Sequence, residues 1–175
     1  ISEGLNAVIV NPSVILGPGF WQRGSGRFFS MIYKGMRYYS KGTTGFVDVR
    51  DVAQALIRLL ESDINNQRFV LNAANIPYKD LMEQIAQNLG VKGPDKPAQP
   101  AMTELLWRLE GIRSRLTGST PLMTRHTAHS AQSDSYYTAG KIKEQLSFSF
   151  RPPEETIRDT ARYYLRDIKQ GRANT

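Results

Sequence analysis

Two carboxylates three residues apart, Asp48 and Asp51 in "GFVDVRD", are the first side chains in this sequence with an obvious capacity for acid–base chemistry. A carboxylate pair can divide the proton-donor and proton-acceptor roles between its members. The same two residues also fit a plainer part, a polar contact at a strand end followed by a helix N-cap. His126 and His129 form an H-x-x-H pair in a Ser/Thr-rich stretch, with no carboxylate or cysteine at ligand spacing, so no metal ligand is assigned. The absence of cysteine removes disulfides and Cys-based metal or redox chemistry. The glycines of "GPGFWQRGSG" lack the G-x-G-x-x-G spacing of a phosphate loop, and no G-x-S-x-G nucleophile elbow occurs.

Two further stretches hold residue types that bind ligands. Trp21, Phe28, Phe29, Tyr33, Tyr38 and Tyr39 stand among Arg23, Arg27, Lys34 and Arg37. Such a set can be core, can line a pocket for a ring-bearing ligand, or can stack nucleic-acid bases; core ranks first and nucleic acid last. In "VNPSVILGPGF" a proline interrupts an apolar run that then stops on Gly17-Pro18-Gly19. That pattern is either a plain strand exit or the rim of a ligand site, because proline cannot donate to a strand ladder.

Composition narrows the setting. The chain has 175 residues, 40% hydrophobic and 22% charged, which suits one globular domain. Its net charge of +7 divides as +3 over residues 1–100 and +4 over 101–175, without the concentrated basic stripe expected of a nucleic-acid binder. A small anionic ligand suits such a balance, and nucleic acid is not expected as a partner. No apolar run reaches the length of a membrane span, so no membrane partner is expected, and no secretory leader pattern is read at residues 1–4. Cytoplasmic localisation is the expectation.

The elements that must position these residues alternate in type. "LNAVIV" (5–10) reads as a strand buried on both faces, and "GFVDVRD" (45–51) as a strand with Val47 and Val49 on one face. Asp51 is expected to cap the next helix with Gln54 at capping-box spacing, and Val52, Ala55, Leu56, Leu59 and Leu60 form its core stripe. A strand over 68–74 precedes a helix opened by Pro77, carrying Leu81, Ile85 and Leu89 inward and stopping at Gly90. A Pro/Gly-rich loop over 91–100, a helical stripe over 102–116 and an irregular Ser/Thr-rich stretch to 135 form an insertion. The last helix starts at Pro153 and buries Ile157, Ala161, Tyr164, Leu165 and Ile168. Strands alternating with helices indicate an α/β domain with a partly parallel sheet.

Three stretches in order, "GLNAVIVNPSVILGPG", "GFVDVRDVAQAL" and "YYTAGKIKEQLSFSFRPPEETIRDTARYY", resemble the C-terminal half of an extended short-chain dehydrogenase/reductase. The nearest branch is the NAD-dependent epimerase/dehydratase family in its dihydroflavonol-reductase-like form. The resemblance implies an α/β fold: the C-terminal part of a Rossmann-like fold with a mostly helical substrate-binding subdomain, residues 1–175 being one domain or fragment. It places the T-G-x-x-G-x-x-G nucleotide loop and the catalytic Tyr-x-x-x-Lys pair ahead of Ser2-Glu3-Gly4-Leu5, so both are expected to be missing from this chain and no catalytic residue is assigned. It implies NAD or NADP as cofactor, bound mainly by the absent N-terminal half, with Asn11, Pro12, Ser13, Val14 and Ser25 touching its nicotinamide end. Phe20, Trp21, Arg27 and Phe28 fall in the substrate-facing region, and Asp48, Arg50 and Asp51 match a mainly structural signature. The implied function is the substrate-binding half of an NAD(P)-dependent oxidoreductase or epimerase for a small carbonyl compound or nucleotide-sugar, inactive alone. A homodimer is a further expected partner state, and a non-catalytic binding or scaffolding module is the alternative.

Overall fold

A computed structural model of the chain describes residues 6–99 and 133–173. The stripe expected over 102–116, the His126/His129 pair and most of the irregular stretch lie outside the described residues. In chain order the elements are β1 (Val8–Pro12), β2 (Val14–Leu16), α1 (Arg27–Tyr33), β3 (Tyr38–Tyr39), β4 (Thr43–Asp48), α2 (Val49–Leu60), β5 (Gln67–Leu71), β6 (Ala74–Pro77), α3 (Tyr78–Leu89), β7 (Lys96–Pro97), α4 (Gly140–Leu146) and α5 (Pro153–Lys169). β1 pairs with β5 in parallel, β2 with β4 in parallel and β4 with β6 antiparallel, while β3 and β7 form a short parallel pair. This is the partly parallel α/β arrangement that the alternating pattern implies.

β4 is the spine of this arrangement. All six of its residues are buried, and their alternation feeds two separate cores, because successive strand side chains point to opposite faces. Phe46 joins Leu16, Trp21, Phe29, Ile85, Ile157 and Tyr164 in the core under α1, α3 and α5. Val47 joins Ala55, Leu59, Phe69, Leu71, Ile142 and Phe148 in the core under α2 and α4. The inward face of α3 (Leu81, Ile85, Leu89) and the left-handed stop at Gly90 (φ 69°) follow the sequence pattern. So does α5, which opens on Pro153 and carries Glu154 and Glu155 in its first turn.

Three expectations need correction. The strand expected over 45–51 ends at Asp48, and Asp48 rather than Asp51 caps α2, accepting a hydrogen bond from the Arg50 amide at 2.7 Å. Val49 therefore starts a helix and is 40% exposed instead of sharing a strand face with Val47. The "VDVR" run has strand propensity, but a buried aspartate that can bond the amide two residues on competes with the ladder and turns the chain. The stripe expected on α2 is also narrower. Ala55 and Leu59 are buried, whereas Leu56 is 50% and Leu60 86% exposed. Finally, β1 is not buried on both faces, with Ile9 37% exposed.

The reason lies in the pairing of β1. Asn66 N donates to Ala7 O and Ser13 N to Leu71 O, both at 2.9 Å, so the odd-numbered residues turn their backbone groups to the β5 side. Alternation turns those of Val8, Val10 and Pro12 to the opposite edge, where no described strand lies. Pro12 thus sits where a missing N–H breaks no existing ladder bond. Beside this edge, Val8, Val10, Leu56, Leu60 and Ile64 line a shallow apolar hollow. An uncovered parallel strand with an apolar flank is prone to association. Residues 1–175 alone are therefore expected to self-associate above micromolar concentration and to bind a hydrophobic dye. Leu56→Lys with Leu60→Lys should shift light scattering towards the monomer without lowering helix content.

Asp48 does more than cap. Its carboxylate, 2% exposed, accepts from the Arg50 guanidinium at 2.6 Å and from the Thr156 hydroxyl on α5 at 2.8 Å, while Arg50 reaches Asp159 at 3.0 Å. Burial alone would raise its pKa, but the hydrogen bonds from Arg50 and Thr156 and the guanidinium charge outweigh that and hold it below the ordinary carboxylate value. A lowered folded pKa contributes stability above the unfolded value of about 3.9, and that contribution is lost as pH falls through the folded value. Asp48→Asn is expected to cost roughly 2–4 kcal/mol at neutral pH. Its denaturation midpoint should also vary less than the parent's between about pH 5 and pH 2, which urea titrations at stepped pH would read.

Candidate functional site

β1 and β5 run in register to Pro12 and Leu71 and stop together. The chain then switches partner at Ser13: its N–H donates back to Leu71 O, and the next residue, Val14, opens β2 against Phe46 of β4. Pro12 thus closes β1, and Ser13 is the hinge between two sheets. Ligands of α/β proteins sit outside the carboxyl ends of parallel strands, and the residues just past these ends, Ser13 and Asn72, form the floor of a polar cluster.

Gly45 makes the cluster's closeness possible. A Cβ there would lie 2.9 Å from Ser13 Cβ and 2.8 Å from Tyr137 Cδ2, and would also collide with Asn72 Oδ1. Only a residue without a side chain lets the three approach. Asn72 is 5% exposed; its Nδ2 donates to Asn75 Oδ1 at 3.2 Å and to Tyr137 O at 3.1 Å. Asn75 clamps the Tyr137 backbone from both sides, accepting from its N–H and donating to its C=O, each at 3.0 Å. Nearby, the Tyr78 hydroxyl is pushed to a higher pKa by burial and by Tyr137, offset in part by a hydrogen bond with Thr44. Two buried oxygens in the cluster have no partner among the described residues, Ser13 Oγ and Asn72 Oδ1. Buried polar atoms are nearly always satisfied, so a donor for Asn72 and a partner for the Ser13 hydroxyl are what the cluster lacks.

The structure distributes the expected site residues unevenly around this point. Asn11 and Pro12 are exposed beside the cluster, and Ser13 and Val14 are half-buried in its floor. Ser25 stands at the far end of β2, where its hydroxyl donates to Ile15 O. Phe20 is 81% exposed on the loop after β2. Trp21 is 2% exposed, packed edge-on against Phe29 and Tyr164 with its indole N–H on Asp167 at 2.9 Å; its ring faces the core. Phe28 packs against Tyr78, and Arg27 opens α1 half-buried. Asp48 and Asp51 do not meet as an acid–base pair, since Asp51 accepts from the Arg151 backbone at 2.8 Å and from its guanidinium. Among the described residues no cluster of His, Asp and Glu could hold a metal ion, and no helix is long and apolar enough to cross a membrane.

One expectation about spacing also needs correction. Tyr137 and Lys141, in "YTAGK", do stand at Tyr-x-x-x-Lys spacing, contrary to the expected absence of such a pair. That spacing stacks two side chains only when both lie on one helix. Here Tyr137 precedes α4 in extended chain held by Asn75, and Lys141 Nζ lies 4.9 Å over the Phe69 ring. Tyr137 joins the polar cluster without a lysine beside it. Gly45, Asn72 and Tyr137 were not singled out by pattern, and the "YTAGK" spacing was the one signal pointing at any of them.

No family model matches the chain, and no curated protein does. Solved structures do. A nucleoside-diphosphate-sugar epimerase from Pseudomonas aeruginosa superposes with a TM-score of 0.73 at 24% identity, over 95% of this chain and 50% of its own. UDP-glucose 4-epimerase from Thermotoga maritima, with UDP-glucose, gives 0.68 at 15% identity over 94% and 48%. A human epimerase family protein with NADPH gives 0.67 at 15% identity over 89% and 48%. The chain thus spans about half the length of the structures it matches. Over that half it shares the α/β fold of these structures, the Rossmann-like fold class that the three sequence stretches implied.

Proposed function

We propose that this chain forms the nicotinamide-facing and substrate-facing wall of an NAD(P)-dependent oxidoreductase or epimerase acting on a small carbonyl compound or nucleotide-sugar. The observation that carries the reading is the pair of orphaned oxygens, Ser13 Oγ and Asn72 Oδ1, at the carboxyl ends of β1 and β5. They fit a nicotinamide carboxamide, whose N–H groups suit the Asn72 oxygen and whose carbonyl suits the Ser13 hydroxyl. Asn11, Pro12 and Val14 complete that wall, with Ser25 tying the loop after β2 to the strand. When bound, the cofactor supplies hydride transfer, and the protein supplies orientation and proton handling. Phe20, Arg27 and Phe28 face the substrate, with Trp21 beneath them as the packed base of the loop. The free edge of β1 and the apolar side of α2 are covered in the working enzyme by further parallel sheet, which brings the nucleotide-binding loop and the catalytic pair.

The complete product of the reading frame that carries this chain should bind NADH or NADPH, read by nicotinamide fluorescence. Ser13→Ala should weaken that binding about fivefold, the value of roughly one neutral hydrogen bond. Failure to bind either nucleotide would overturn the proposal. Gly45→Ala should wedge Ser13 from Tyr137, destabilising the chain by about 1–3 kcal/mol in thermal or urea unfolding and weakening nicotinamide binding further than Ser13→Ala does.

A further inference from the structure

A second cleft lies on the α5 side of the molecule, about 760 Å³ in volume, with Gly19, Phe20, Arg23, Arg166, Asp167 and Arg172 in its wall. The turn that forms one side is braced at several points. Arg23 N donates to Phe20 O at 3.3 Å, Ser30 Oγ to Trp21 O at 2.7 Å, and Gln22 Nε2 to Ala173 O at 3.0 Å. Gly26 packs so closely under Phe20 O that a Cβ would lie 2.6 Å from it. A phenylalanine 81% exposed on so braced a turn buries nothing for the fold. It stands as a stacking platform that is already in place, and preorganisation lowers the entropic cost of binding.

Among the described residues, cationic side chains outnumber carboxylates in the cleft wall. Its single carboxylate, Asp167, is fully engaged, accepting from Trp21 Nε1 at 2.9 Å and from Arg172 at 3.1 Å, with Arg166 at 3.7 Å. The hydrogen bond from Trp21, then the nearby guanidinium groups, keep it below the ordinary carboxylate pKa and therefore ionised. Among the described residues of the wall, three guanidinium groups stand against one carboxylate. The Arg23 side chain makes no hydrogen bond or ion pair with any described residue. Arginine suits phosphate through its planar fork of donors, and a phosphate monoester carries between −1.5 and −2 at neutral pH.

We propose that this cleft binds a phosphate monoester attached to a ring, an aryl or nucleoside phosphate, with the phosphate on Arg23 and its neighbouring arginines and the ring on Phe20. The proposal shares with the preceding section only the placing of Phe20 on a ligand-facing loop, and its test uses no nicotinamide, so either can fail without the other. Calorimetric titration of the 175-residue chain at low salt would compare phenyl phosphate, benzoate and inorganic phosphate. Phenyl phosphate is expected to bind at least about tenfold more tightly than either of the others, because only it offers both a dianion and a ring. Arg23→Gln and Phe20→Ala should each weaken it roughly fivefold or more, whereas Arg68→Gln, on β5, should leave it unchanged. Both test residues are on the surface, and circular dichroism would verify that the variants fold as the parent does. No binding of phenyl phosphate, equal binding of all three ligands, or an equal loss in Arg68→Gln would overturn the proposal, the last two by reducing the cleft to general charge attraction.

Discussion

A buried carboxylate at the end of the central strand holds the described parts of this protein in register. Asp48 closes β4, caps α2 through the Arg50 amide, and accepts the Thr156 hydroxyl from α5, all with one side chain that is 2% exposed. Taking such a charge out of water is costly unless its oxygens are filled, and here donors from a helix start, a guanidinium and a second helix fill them. Arg50 passes the link on to Asp159, and Asp51 ties the start of α5 through Arg151. The three polar residues of "VDVRD" thus do three different jobs: one caps, one bridges, one tethers.

The candidate site follows from where that strand lies. Because β4 is buried on both faces, it has a core on either side, and its middle residue must be small where neighbouring chain crosses close over it. Gly45 meets that need, and Ser13, Asn72 and Tyr137 converge above it. The cluster is held by amide–backbone bonds rather than by charges: Asn75 treats the Tyr137 peptide as a strand partner would. This leaves Ser13 Oγ and Asn72 Oδ1 buried without a partner among the described residues. The arginine-lined cleft by Phe20 is built differently, from guanidinium groups and an exposed ring on a braced turn.

Elements whose signals are local are legible in the sequence alone. α3 and α5 carry unbroken 3.6-residue stripes with a glycine stop or a proline start, and both formed as expected. The start of α2 lies three residues earlier than the pattern implies, because Asp48 and Asp51 are equally good caps by type and both are buried; their tertiary partners, Thr156 for Asp48 and Arg151 for Asp51, are what differ. Leu56 and Leu60 fit an apolar stripe but lie 50% and 86% exposed, since periodicity tells which residues share a face and not what covers it. Trp21 falls where the resemblance puts a substrate contact, yet its ring turns inward because Asp167 and Tyr164 offer its N–H and its edge better partners than solvent does.

By itself the sequence determined the class of fold and the order of its main helices and strands. Those properties rest on short-range periodicity, capping chemistry and motif order, which neighbouring residues dictate. Only the tertiary structure decided that Ser13, Gly45, Asn72 and Tyr137 meet, that Tyr137 and Lys141 part despite their spacing, and that one edge of β1 stays open. Each of these depends on contacts between residues tens of positions apart, where packing and backbone pairing, rather than residue type, set the distance.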